Sequence, residues 1–325
     1  MKKNRIKSLL FLFFMYPLFT YSQQDRYLPG KEIVKLKKEI FSIIKSNSMY
    51  RDSVDWHGVS QELNALKFTE NDSTSKRILF DFFTKKLRNA GDKHSFFITK
   101  KSISKIVETP VSLNPEADYL GEGIGWIKVP ECFTFDAKKD ISFANRIRSE
   151  IKRIDSAQNI SGWIVDLRHN GGGNMWPMLA GLNALSEDGT VGYFVDPKSK
   201  KQQPWIVQNG KLFSSTIINY KIKNTKTKIA VLIDSLTGSS GEMTAISLMG
   251  LPNVKVFGQP SAGYTTANYT HALSDGSQFL LAERFAADRN GKTYKVKVAP
   301  DVYVNDLSNT KSDKVVLTAK RWLLE

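Results

Sequence analysis

At 325 residues the chain has room for one large domain or two smaller ones. Its 41% apolar and 11% aromatic content is enough to bury a core and excludes a globally disordered protein. The formal charge is +15, yet the basic residues fall in short scattered runs without interleaved stacking aromatics, so nucleic acid is not an expected partner.

The first 22 residues read as a secretory signal peptide. Lys2, Lys3, Arg5 and Lys7 precede an apolar run from Leu9 to Phe19, and Thr20 and Ser22 stand at −3 and −1 of a cut before Gln23. The run is short for a membrane span, so no integral membrane protein is expected after its removal. A periplasmic or secreted location follows. The single cysteine, Cys132, excludes an internal disulfide and a cysteine-based zinc site.

Residues 23–100 read as a small helical domain. Lys31 to Ser46 places Ile33, Leu36, Ile40 and Ile44 on one stripe. Asp55 can cap a second helix over Trp56–Leu66, and Ser75 a third containing Leu79, Phe83 and Leu87. From 101 to 325 the texture becomes alternating. Strands are predicted over Ile124–Val129, Trp163–Leu167, Ile229–Ile233 and Val254–Phe257. Helices are predicted over Ile141–Ile154, Asn174–Leu185 and Glu242–Met249. That alternation indicates βαβ units and an α/β core with parallel pairing. The tail from Phe279 to Val304 is strand-rich and is expected to complete the sheet.

Three segments can carry chemistry. Asp166-Leu167-Arg168-His169-Asn170-Gly171-Gly172-Gly173 lies between a strand and a helix. Its glycines admit close backbone approach, and exposed N–H groups there can meet an oxyanion. It is neither a Walker A loop nor a dinucleotide fingerprint. Thr237-Gly238-Ser239-Ser240-Gly241-Glu242 lies on a second strand-to-helix turn. There a serine can stand above the sheet as a nucleophile, or Ser239 or Ser240 can simply cap the helix. Gly91-Asp92-Lys93-His94-Ser95 supplies a histidine that can act as general base; His57, His169 and His271 are the others in the chain.

In wording and order these segments resemble the tail-specific (C-terminal processing) serine protease family. The nearer branch is that of the tricorn protease core and interphotoreceptor retinoid-binding protein. Gly258-Gln259-Pro260-Ser261-Ala262-Gly263 and Ala299-Pro300-Asp301 extend the match. The resemblance implies a crotonase/ClpP-like spiral core, a serine peptidase without metal or organic cofactor, and a peptide or unfolded-protein substrate. It places the nucleophile on Ser239 and the general base on His94, with oxyanion donors at the N–H groups of Gly172 and Ser240. The acidic partner implied is Asp288, with Glu283 and Asp301 as rivals. Tyr264 occupies the position of the lysine in the serine–lysine members, which excludes that dyad here. No PDZ insertion separates the helical part from the core. The competing reading is a non-catalytic binding protein for apolar ligands on the same fold, with Trp126, Phe133 and Trp176 forming its pocket.

Overall fold

The computed structural model describes residues 30–109 and 114–325, so the signal segment expected over 1–22 lies outside the described residues. The apolar stripe buries Ile33, Leu36, Ile40 and Ile44 on α1 (Lys31–Asn47). Asp55 accepts from Gly58 N at 3.0 Å and starts α2 (Trp56–Ala65). The third helix begins earlier than expected. Asn71 caps α3 (Asp72–Asn89) by accepting from Thr74 N. Ser75 is buried one turn inside, and its hydroxyl donates to Thr69 O.

A short strand β1 (Phe96–Ile98) leads into α4 (Lys100–Glu108), a helix absent from the sequence expectations. Thr99 caps it by accepting from Ser102 N, and Ile103, Ile106 and Val107 form a narrow apolar stripe, yet none of its residues is fully buried. The core follows with β2 (Glu116–Tyr119), β3 (Ile124–Lys128), α5 (Ala137–Ala157), β4 (Gly162–Asp166) and α6 (Met175–Leu182). Next come β5 (Gly189–Val195), β6 (Gln202–Val207) and the small hairpin of β7 (Lys211–Leu212) and β8 (Ser215–Thr216). Then come β9 (Lys228–Ile233), α7 (Ser240–Leu248), β10 (Val254–Gly258), β11 (Thr266–Ala272) and β12 (Gln278–Asp288). The chain continues through β13 (Thr293–Tyr294), β14 (Val302–Tyr303) and α8 (Lys314–Leu324). Helix α5 outruns its expected start because Asp136 accepts from the amides of Lys138 and Lys139.

The result is a mixed α/β protein with a small helical N-terminal part. One sheet has the order β14-β10-β9-β4-β3-β2, parallel throughout except for the edge pair β2–β3. Its central strands are apolar on both faces, as a covered parallel sheet requires. Ile229, Val231 and Ile233 face α5, α6 and α7, while Ala230 and Leu232 face α8.

The tail behaves differently from expectation. Only β14 joins the core sheet. The long strand β12 instead organises a second, antiparallel sheet by pairing with β1, β11, β5 and β13. Its Phe279 and Leu281 share an apolar cluster with α1 and α3, so the helical part rests on this second sheet. Strand β1 therefore carries the 92–95 segment to the mouth of the core.

Candidate active site

β4 and β9 are adjacent and parallel, so the turns after them leave the same edge of the sheet side by side. In open α/β sheets the crevice beyond the carboxyl ends of the strands is the usual ligand position. The two turns are stitched together. Thr237 donates its hydroxyl to Leu167 O at 2.9 Å, and Gly238 N donates to Asn170 O at 2.9 Å. Asn170 is fully buried, and its amide donates to Val129 O and Pro130 O.

The first turn is anchored from below by charge. Arg168 grips Asp166 through two parallel bonds, Nε to Oδ1 at 2.8 Å and Nη2 to Oδ2 at 2.6 Å. It also reaches Asp313 Oδ2 at 2.5 Å. All three side chains are at most 2% exposed. Asp313 caps α8, so the cluster fastens that helix to the glycine turn.

The second turn ends at Ser239, which sits at φ 52° and ψ −119°. A non-glycine residue there is strained, and such strain is typical of residues held for a purpose. Glu242 supplies the restraint. Completely buried, it accepts from Ser239 N at 2.8 Å, Tyr264 N at 2.7 Å, Gly263 N at 2.8 Å and the Ser261 hydroxyl. Burial raises its pKa, opposed by these hydrogen bonds.

The geometry brings Ser239 and His94 together: Nε2 lies 2.9 Å from Oγ. The other ring nitrogen, Nδ1, faces Thr266 Oγ1 at 2.8 Å, on the first residue of β11. Asp92 shapes the loop by accepting from the amides of His94 and Ser95 and from the Ser95 hydroxyl. Burial pushes the His94 pKa down to about 4, against an opposing pull from the Asp92 carboxylate. The ring of Tyr264 lies tilted beside His94, with centroids 5.3 Å apart.

Asp288 is not brought to His94. It is buried where β12 ends, accepting from the Tyr294 hydroxyl at 2.9 Å and from the amides of Asn290 and Lys292. Its rivals are engaged elsewhere too, Glu283 with His271 at 2.6 Å and Asp301 with Val256 N at 2.7 Å. The partner that sequence reasoning missed is Thr266. Its only signal was a hydroxyl residue shortly after the Gly263 turn, and nothing local showed that β11 would pass behind the histidine.

Gly172 and Ser240 both lie beside Ser239. A Cβ on Gly172 would stand 2.8 Å from Ser239 Cβ and 3.1 Å from Ser240 N, with φ at +120° besides. Ser240 is the first residue of α7, and its N–H has no acceptor among the described residues. The Gly172 N–H is different: it donates to Asn170 Oδ1 at 3.0 Å. That amide is already committed, which the sequence could not reveal.

Two hollows flank Ser239. One, of about 480 Å³, runs past Phe133, Trp176 and Met243 beneath β11. The other, of about 380 Å³, holds His94, Arg88, Glu131 and Tyr264. Phe133 and Trp176 thus border the serine. Trp126 does not join them; it packs on the opposite face of the core sheet against α8, with its indole donating to Asp166. The apolar pocket expected from these three rings is therefore divided by the sheet.

Residues 123–304 match the model of peptidase family S41. A nisin-resistance protein of Lactococcus lactis subsp. lactis is 38% identical over 266 residues, covering 81% of this chain and 80% of its own. Among solved structures, a lipoprotein from Streptococcus agalactiae superposes with a TM-score of 0.73 at 28% identity, over 91% of this chain and 98% of that one. The photosystem II D1 C-terminal processing protease shares the fold, with a TM-score of 0.58 at 13% identity over the same shares of the two chains.

Proposed function

Because the chain belongs to peptidase family S41 and is a serine peptidase, we propose that Ser239 is its nucleophile and His94 its general base. The contact of 2.9 Å between His94 Nε2 and Ser239 Oγ carries this reading. For Nε2 to accept the serine proton, the ring proton must sit on Nδ1, where it donates to Thr266 Oγ1. Ser239 then attacks the peptide carbonyl and forms an acyl-enzyme. His94 returns the proton to the leaving amine, and water hydrolyses the ester by the same route. The N–H of Ser240, at the positive end of α7, meets the developing oxyanion. The Gly172 N–H can join it only by leaving Asn170 Oδ1.

The direct test is the intact mass of the protein after treatment with a fluorophosphonate. One adduct is expected on the wild type and none on Ser239→Ala. An adduct that survives the substitution would move the nucleophile elsewhere.

The pH profile adds a second test. Only neutral His94 can take a proton, and its pKa is lowered from 6.5 to about 4. Activity is therefore fully present above pH 6.5, stays high between 6.5 and 5, and is lost as pH falls through about 4. The acid limb of kcat/KM on an uncharged peptide reports this group in the free enzyme. A limb at the ordinary histidine value would mean that burial does not govern the ring.

The protein works outside the cytoplasm, in the periplasm or secreted. The basic, apolar leader and the likeness to a lipoprotein support this placement. Among the described residues no helix is long and apolar enough to cross a membrane. The chain divides into a signal over 1–22, a helical part over 23–100 and a catalytic part over 101–325. Its substrate is a peptide or an unfolded protein.

A further inference from the structure

A groove of about 1090 Å³ lies between α3, α4 and the turn at 275–277, away from the serine. Its floor is aromatic. Phe80 stacks on Phe97 with centroids 4.3 Å apart, and Phe97 stacks on Phe279 at 4.2 Å. Its rim is basic. Lys76 is already held by Glu32 at 3.0 Å and Asp275 at 3.2 Å. Arg77, Lys100, Lys101 and Lys105 form no ion pair among the described residues, against only Asp81 and Glu108 as further acids in the lining.

Phe96 connects this groove to the chemistry. It lines the groove and also both hollows beside Ser239. A polypeptide leaving the cleft meets the groove across a single side chain. The volume slightly exceeds that of small-molecule sites, roughly 300–1,000 Å³, and suits several residues of an extended chain. Its recess between two helices suits a chain better than a flat bilayer.

We propose that this groove is an exosite that holds a stretch of the substrate polypeptide remote from the scissile bond, one in which acidic residues alternate with large apolar ones. The apolar side chains lie on Phe80 and Phe97, and the carboxylates meet Arg77 and the three lysines of α4. Opposite charge on a half-open surface contributes mainly to encounter and selection, and salt weakens it. The peptidase therefore prefers acidic–apolar chains and discriminates against basic ones by KM rather than by kcat. The proposal rests on the cleft at Ser239 being the peptidase site, and its test is arranged to be independent of turnover.

Full-length Ser239→Ala is titrated into fluorescein-labelled peptides by anisotropy. Each peptide carries the same apolar centre, extended on one side or the other by eight residues of Asp, Glu and Phe, or of Lys and Phe. Eight extended residues reach about 26 Å. The acidic tail should bind at least tenfold more tightly than the basic one at low salt. The triple variant Lys100→Glu, Lys101→Glu, Lys105→Glu should erase or invert that preference. All three positions are exposed, so folding should be little affected. Equal binding of the two tails, or a preference that persists in the triple variant, overturns the proposal. Acid-dependent binding that appears only after removal of residues 23–29 also overturns it, because the chain's own segment would then be the occupant. So does pelleting with phosphatidylglycerol vesicles through the same lysines while neither peptide binds. Fluorophosphonate labelling of the wild type decides the serine separately.

Discussion

Replacing His94 by alanine should lower turnover by about six orders of magnitude, and adding Ser239→Ala to that variant should lower it hardly further. Members of a nucleophile–base pair act as one unit, so the first loss takes nearly all that the pair contributes. What survives is the part supplied by binding and by the Ser240 N–H, about 10³–10⁴ over water in comparable enzymes. The contact to be broken is specific: Nε2 has the Ser239 hydroxyl in front of it and Thr266 behind the ring. Stability should change little. His94 is not part of an apolar cluster, and Ser239→Ala keeps the Cβ that the strained turn already accommodates. Single-turnover rates on a fluorogenic peptide, beside thermal melts of all three variants, check the result. A double variant much slower than either single one would mean that the two side chains act in separate steps.

Arg168→Ala should produce the largest loss of stability, about 3–5 kcal/mol, the usual cost of leaving buried charges without their partner. Removing the guanidinium strands Asp166 and Asp313, both at most 1% exposed. Arg168→Lys should rescue only a fraction, because one ammonium cannot reproduce the paired bonds to Asp166. The urea midpoint of unfolding measures the loss. Activity should fall in parallel, since the turn that carries Gly172 starts at this cluster. An alanine variant within about 1 kcal/mol of wild type would show that the two carboxylates protonate or find water at small cost.

The strands β3, β4, β9 and β10 were legible because their runs are short, apolar and bounded by turn residues. The two strand-to-helix turns were legible for the same local reason: glycines and hydroxyl residues stand at fixed offsets there. Ser239 and His94 were singled out by resemblance, and the fold sets them at hydrogen-bond distance. What lies behind the histidine was not legible. Thr266 meets His94 from 172 residues away, through the pairing of β11 with β12 and of β12 with β1. Asp288 looked suitable on type alone, but the register of β12 sends it to Tyr294. The cap of α3 was misplaced by four residues because Asn71 and Ser75 are both competent; burial of Ser75 against Thr69 decides between them. Helix α8 carried no expectation, although its Val315, Val316 and Leu323 close one whole face of the sheet.

His94 and Ser239 are separated by 145 residues, and they meet only when a strand from the first third of the chain is laid along one from the last third. Long-range antiparallel pairing of this kind is late and slow relative to the formation of local turns and helices. Until that pairing forms, Ser239 has an ordinary hydroxyl and His94 has no partner. Topology alone thus gives the peptidase a latent period. With Ser239 and His94 as the proposed pair, neighbouring unfolded chains and other copies of itself are spared until its own folding has finished.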